Sequence, residues 1–251
     1  GDFEWREFDE NTACGMCYTS GTTGNPKGVL YSHRSNVLHA ISVSVPNVLN
    51  LGTGDTILPV VPMFHANSWS LAFSAPMAGA TLVMPGAKMD GESIYELLET
   101  ERVTFTAAVP TIWMMLLQYL ESSGKELPYL ERVAIGGSAC PRSMIEKFEV
   151  NYGVQVTHAW GMTEMSPVGS TCAMKPENRG LDLQARLDLQ ATQGYAPFTV
   201  EMKITDDNDV ELPWDGKTFG RLKVRGPGVS RSYFKGEGGE ILDKDGFFYT
   251  G

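Results

Sequence analysis

The chain has 251 residues, of which 42% are hydrophobic and 20% charged, and its formal net charge is −10. That is enough for one large domain or two small ones around a real core. An acidic chain without a local basic cluster excludes a nucleic-acid surface and an anionic membrane patch, since both need clustered Lys and Arg; a polyanionic ligand would need a local device.

In chain order, residues 1–11 are acidic and loop-like. Residues 12–18 are largely uncharged and predict a strand, and 29–31 predict another. Between them runs Tyr18-Thr19-Ser20-Gly21-Thr22-Thr23-Gly24-Asn25-Pro26-Lys27-Gly28, with no acid in it. A glycine-rich loop between strands can point several backbone N–H groups into one concavity, where phosphate oxygens bind. The hydroxyls add donors and Lys27 a mobile positive charge. The same string also reads as a flexible connector. The P-loop of NTPases fails, because it needs Gly-Lys followed by Ser or Thr, and Lys27 lies between Pro26 and Gly28.

Cys14 and Cys17 form a C-x-x-C, but no second pair exists and no His follows at ligand spacing. On a strand, positions three apart face opposite ways. We expect reduced thiols and a cytoplasmic compartment. The uncharged run 64–87 is broken by Pro76, Gly79, Pro85 and Gly86, so no transmembrane segment is expected. The chain starts without Met, carries nothing like a signal peptide and stops on Tyr249-Thr250-Gly251, so we expect a piece of a longer protein.

From residue 36 the pattern is regular. Helices are predicted over 36–45, 68–77, 93–101, 111–121 and 141–152, the last with Pro141 in its first turn. Strands are predicted over 56–61, 80–84, 103–109, 130–135 and, as the final one, 154–159. This alternation predicts an α/β fold, a mostly parallel sheet with flanking helices. Residues 175–193 are polar and partly helical. After about 194 short strands are predicted at 198–205, 220–225 and 247–249, separated by turns. The expected division is an α/β region over 1–193 and a small β-rich, barrel-like subdomain without helices over 194–251.

Ligands of such sheets bind outside the carboxyl ends of the strands. The residues there include Pro62-Met63-Phe64-His65, Gly136-Gly137-Ser138-Ala139 and Trp160-Gly161-Met162-Thr163-Glu164. Taken singly, several have plain readings. Thr163-Glu164 can start a helix, Trp160 and Trp69 can be core, and His65 can be a satisfied structural histidine.

Together these strings resemble the adenylate-forming superfamily of acyl-CoA synthetases, luciferases and peptide-synthetase adenylation domains. The Thr/Ser/Gly loop matches its phosphate-loop signature, Trp160 to Glu164 its aromatic-Gly-x-Thr-Glu motif, Gly136 to Ala139 its adenine-side loop and Phe64-His65 its Phe-His element. Gly220-Arg221-Leu222-x-Val224-x-Gly226-Pro227 matches its β-region signature, and Tyr249-Thr250-Gly251 the start of its Thr-Gly-Asp motif. The wording looks most like bacterial medium- or long-chain fatty acyl-CoA synthetases.

The resemblance implies an ATP-dependent acid–thiol ligase. A small-molecule carboxylic acid attacks the α-phosphate of ATP, giving acyl-AMP and pyrophosphate, and coenzyme A then displaces AMP. Another adenylating activity, on an aryl acid or a carrier protein or luciferase-like, stays open, as does an inert ligand-binding fragment. Thr19, Ser20, Gly21, Thr22, Thr23, Gly24 and Lys27 would hold the β- and γ-phosphates, and Thr163 the α-phosphate. Glu164, with Thr23, would hold Mg²⁺. Gly137, Ser138, Ala139, His158, Ala159, Trp160, Gly161 and Met162 would surround the nucleotide. His65 would stand beside the substrate carboxylate, with Phe64, Trp69 and Ala159 along the acyl tail. Lys27, Thr163, Glu164 and His65 are the implied catalytic residues. Ala159 replaces a frequent Gly and Trp160 the usual Tyr, which bears on chain length. The resemblance also implies that a small C-terminal catalytic domain and the first half of the large domain lie outside these residues, and that the intact protein can form a homodimer.

Overall fold

A computed structural model describes residues 3–19 and 24–251. Strand β1, Ala13–Tyr18, pairs antiparallel with β2, Gly28–Ser32, and Tyr18 faces Gly28 in the register. Of the glycine-rich stretch, the described residues Thr19 and 24–27 therefore lie at the closed end of a hairpin. Beyond Tyr18, the Thr19 N–H donates to the Lys27 carbonyl at 2.9 Å, and the Lys27 N–H returns to Thr19 Oγ1 at 3.0 Å.

The main sheet has six strands. They are β3 (Thr56–Pro59), β4 (Thr81–Leu82), β5 (Phe105–Ala108), β6 (Arg132–Ile135), β7 (Gln155–Gly161) and β8 (Val168–Thr171), in the order β4-β3-β5-β6-β7-β8. All neighbours are parallel except β8 on β7. Side chains alternate along each strand, so each strand feeds two cores. Leu58, Ala108, Val133, Ile135 and Val156 pack with the helices Gly91–Thr100 and Pro110–Ser123. Ile57, Phe105, Ala107 and Ala134 pack on the other face with the helices His33–Ser44 and Leu71–Ala78. Both faces are buried, which is why these strands read as unbroken apolar runs.

The helices begin where their caps are. Ser32 and Ser35 form a capping box, and Asp90 accepts the Ser93 N–H at 2.9 Å. The helix expected at 141–152 is α-helical only over Arg142–Glu146 and continues as a π turn, Lys147–Asn151. Residues 183–190 supply the helical part of the polar segment.

Two expectations are corrected. The predicted helix at 68–77 is two elements of opposite hand. Residues 66–70 all have positive φ, between 43° and 71°, and form a left-handed turn before the right-handed helix Leu71–Ala78. Within the turn the Trp69 N–H donates to the His65 carbonyl at 3.2 Å, and the Ser70 N–H to Ala66 at 3.0 Å. Second, 154–159 does not end the sheet. Strand β7 runs on through Trp160 and Gly161, and the antiparallel β8 follows. A Gly in the middle hides β8 from propensity, and packing explains it. A Cβ on Gly169 would lie 2.6 Å from the Trp160 ring.

After residue 194 three antiparallel strands form a sheet in the order β11-β10-β9: β9 (Glu201–Thr205), β10 (Arg221–Arg225) and β11 (Phe248–Tyr249). Its Val224 and Phe248 share a core with Cys17, Val29 and Tyr31 of the hairpin and with Met165 and Tyr233. All four cysteines are free; Cys14 accepts from the Asn36 amide, and Cys17 is buried in this core. Among the described residues no helix is long and apolar enough to cross a membrane.

Candidate functional site

In the main sheet the chain runs from β3 outward to β4 and then crosses back to β5. The reversal leaves a crevice outside the carboxyl ends of β3 and β5, where ligands of open α/β sheets bind. A cavity of about 850 Å³ lies there, and Val60, Val61 and Pro62 after β3 and Ala108 and Val109 after β5 line it. Met89 and Ile112 add apolar lining, while Thr19, Gly24, Lys27, Thr163 and Glu164 add polar lining. Tyr249, Thr250 and Gly251 also reach its wall.

The left-handed turn is part of this wall. An L residue in that conformation costs about 1–2 kcal/mol, so local contacts must hold it. Ser68 is fully buried, and its hydroxyl donates to the Val61 carbonyl at 2.5 Å. The turn swings the Trp69 indole back onto Gly136 and Gly137. Cβ atoms added to those glycines would lie 3.3 and 3.5 Å from the ring, and one on Gly136 also 2.9 Å from the Ala159 carbonyl. Gly136 thus makes room for the indole and the Ala159 carbonyl, whereas at Gly137 the constraint is φ +76° and the Val109 methyl, which a Cβ would approach to 3.0 Å.

Beside these glycines β7, the neighbour of β6, delivers Ala159 and Trp160. Gly161 allows the chain to meet the Pro167 carbonyl, which a Cβ there would approach to 2.1 Å. A single 3-10 turn, Thr163–Met165, follows and is tied down from two sides. The Tyr31 hydroxyl donates to the Thr163 carbonyl at 2.6 Å, and the Ser230 N–H to the Glu164 carbonyl at 2.7 Å. The Glu164 carboxylate is 5% exposed and accepts the Tyr233 hydroxyl at 2.5 Å. Burial, that bond and the carboxylate charge push the Tyr233 phenol above its ordinary range, so it stays a donor. The Lys27 ammonium lies over the Tyr233 ring, 4.9 Å from its centroid.

Of the residues singled out in the sequence, Thr19, Gly24, Lys27, His65, Trp69, Gly137, Ala159, Trp160, Gly161, Met162, Thr163 and Glu164 share this cavity. Ser20, Gly21, Thr22 and Thr23 lie outside the described residues. Phe64 does not line the cavity; it is 69% exposed, with its ring against His65. Ser138 and Ala139 are exposed beyond its rim. His158 is buried behind the wall, where its Nε2 accepts the Cys140 N–H at 3.2 Å. Burial lowers its pKa, so it serves as a neutral acceptor. Sequence reasoning missed Tyr233 and the apolar set of Val60, Met89, Ala108 and Ile112. Tyr233 meets Glu164 across 69 residues, and no local pattern marks it.

A profile of the AMP-binding enzyme family matches residues 3–234. The chain belongs to the AMP-binding enzyme family. It is 48% identical, over all its length, to a medium-chain fatty-acid–CoA ligase from Ectopseudomonas oleovorans, of which it spans 46%. It is 49% identical to a 3-methylmercaptopropionyl-CoA ligase from Ruegeria lacuscaerulensis, with the same two coverages. Among solved structures, a long-chain fatty-acid–CoA ligase from Archaeoglobus fulgidus superposes with a TM-score of 0.82 at 28% identity, over 100% of this chain and 50% of that one. The chain thus spans about half the length of these AMP-binding relatives, and the matches run through the hairpin, the six-stranded sheet and the start of the β-rich segment alike.

Proposed function

We propose that these residues form the nucleotide and acyl site of an ATP-dependent acyl-CoA ligase acting on an aliphatic carboxylic acid. The observation that carries the reading is one cavity whose lining is of two kinds. Lys27, Thr163 and Glu164 line it, with Lys27 and Glu164 both on Tyr233, and so do Val60, Met89, Ala108 and Ile112, which all belong to or pack on one apolar core. Such a cavity suits a molecule with a polyphosphate head and an apolar tail. The relatives include a medium-chain-fatty-acid–CoA ligase and a 3-methylmercaptopropionyl-CoA ligase, names that denote aliphatic carboxylic acids, which agrees with it.

Adenylation is limited by charge on phosphate oxygens, and preorganised donors lower that barrier. In this reading Lys27 and the loop around Thr19 and Gly24, with Ser20, Gly21, Thr22 and Thr23, bind the departing pyrophosphate. Thr163 binds the α-phosphate. Gly137, Ser138, Ala139, Ala159, Trp160, Gly161 and Met162 surround the nucleoside, and His65 faces the attacking carboxylate. Trp69 and Ala159 border the tail. Mg²⁺ fits the donor set. Among the described residues no three His, Cys, Asp or Glu side chains gather into a metal cage. A single buried carboxylate suits a hard cation that keeps its waters and takes its other ligands from phosphate. When bound, the cation would neutralise phosphate charge, and Glu164, with Thr23, would hold it. The thiol step, on coenzyme A, requires a second wall that we assign to a C-terminal domain of the longer protein. The four free thiols support a reducing, cytoplasmic setting.

The test is product analysis of the full-length protein with ATP, Mg²⁺, coenzyme A and a series of straight-chain acids, including 3-methylmercaptopropionate. Acyl-CoA, AMP and pyrophosphate in equal amounts are expected. ADP, or nucleotide turnover that ignores the acid, would overturn the proposal.

A further inference from the structure

The cavity lining includes a cation, Lys27, and an anion, Glu164, that share one neighbour, Tyr233. Opposite charges that share a neighbour attract each other, the more strongly the less water screens them. A closed Lys27–Glu164 pair would cancel the charges that a metal-bound nucleotide needs. Among the described residues Lys27 is paired with no carboxylate, and the group beside it is the Tyr233 ring. The same Tyr233 gives its hydroxyl to Glu164 Oε1 at 2.5 Å. One side chain, 8% exposed, therefore occupies one charge with its face and the other with its edge.

The surroundings keep Tyr233 where it is. It lies in the core that joins the hairpin to the β-rich sheet. The next residue, Phe234, packs on β2 so closely that a Cβ on Gly28 would lie 3.1 Å from its own Cβ. Gly238, at φ +82°, brings the same segment beside Lys27, whose Nζ lies 3.0 Å from where a Cβ would stand. The second oxygen of Glu164 takes no hydrogen bond among the described residues. Packing alone would be served equally well by Phe at 233. The hydroxyl matters only for the carboxylate.

We propose that Tyr233 is a positioning residue that holds the Lys27 ammonium and the Glu164 carboxylate apart and aimed, so that both meet a metal-bound nucleotide rather than each other. The inference rests on the assignment of Glu164 to the metal. It gives the two halves of the side chain separate duties: the ring sets Lys27, and the hydroxyl sets Glu164 and leaves its other oxygen for the cation.

The test is calorimetric titration of the full-length protein with ATP, without any acid, once with Mg²⁺ and once with EDTA. Removing a partner that orients a metal ligand typically weakens the metal-dependent step by about tenfold or more. Tyr233→Phe should therefore weaken ATP binding about tenfold in Mg²⁺ and by less than about twofold in EDTA, because the ring still carries Lys27. Tyr233→Leu loses ring and hydroxyl and should weaken both titrations. In a Glu164→Ala background, Tyr233→Phe should add less than about a twofold effect, since its partner is gone. Near-UV circular dichroism matching the parent keeps folding out of the comparison. If Tyr233→Phe binds ATP as the parent does in Mg²⁺ while Glu164→Ala is impaired, Tyr233 is packing and the inference falls. If Glu164→Ala itself leaves the Mg²⁺ dependence unchanged, the metal assignment fails and takes the inference with it.

Discussion

Replacing Ser68 tests the left-handed turn, and the sign of the result is informative. Ser68 is fully buried at φ 57°, and its hydroxyl is the donor to the Val61 carbonyl. Ser68→Ala keeps the Cβ, so the backbone cost of the turn is the same in both proteins. What is lost is the bond, and a buried carbonyl left unpaired costs about 1–3 kcal/mol. Ser68→Gly loses the same bond but also sheds the Cβ that the left-handed region penalises by about 1–2 kcal/mol. Against this stands the greater freedom of an unfolded Gly, about 0.4–1 kcal/mol. Gly should therefore be less damaging than Ala here, by up to about 1.6 kcal/mol. In a right-handed helix the order is reversed, with Gly about 1 kcal/mol worse than Ala. Urea unfolding of the three proteins, compared by midpoint at equal slope, gives the order directly. A stability ranking of Ser above Ala above Gly would refute the left-handed assignment, and an unchanged Ser68→Ala would refute the buried bond.

Three other outcomes follow from the same geometry. Burial holds the His39 imidazole down to about 4, while its Nε2 accepts the Val168 N–H at 3.0 Å. The unfolded chain thus binds the proton more readily, so this stability is complete above about 6.5 and drains away towards about 4, by about 3 kcal/mol in all. His39→Gln should flatten that limb of the pH–stability curve, and a limb unchanged by the substitution would clear His39. Gly136→Ala should displace the Trp69 ring and cost about 1–3 kcal/mol, because its Cβ would press on the Ala159 carbonyl; indole fluorescence and urea unfolding would detect both, and native values for both would contradict the packing. Ala159→Gly should move the acid preference of the full-length protein to longer tails, each buried CH₂ being worth about 0.8 kcal/mol, near fourfold, and a chain-length profile unchanged in both Ala159→Gly and Trp69→Ala would put the tail elsewhere.

Much of the main sheet was legible because its strands are buried on both faces and the helix Gly91–Thr100 carries a regular apolar stripe of Ile94, Tyr95 and Leu98. Ile57-Leu58 and Val133-Ala134-Ile135 each serve two cores, and such runs stand out. The site was legible where its residues are neighbours in sequence, as in Trp160 to Glu164. It was obscure where the chain folds against local preference. Ala66-Asn67-Ser68-Trp69 contains no Gly, and only Asn67 hints at a left-handed conformation, so the apolar pattern ran straight through as one helix. Strand β8 was obscured by Gly169, which is small because the Trp160 ring lies on it. Tyr233 was invisible for a different reason: its meaning depends on Glu164 and Lys27, both far away in the chain.

The central claim is that Glu164 and its neighbours serve acid-dependent attack on the α-phosphate of ATP. The most direct measurement is exchange of labelled pyrophosphate into ATP by the full-length protein, with and without an aliphatic acid, for the parent and for Glu164→Gln. Exchange that requires the acid and is largely lost in Glu164→Gln, at an unchanged unfolding midpoint, is the result predicted. Exchange that ignores the acid, or that survives undiminished in Glu164→Gln at ordinary Mg²⁺ concentration, would contradict it.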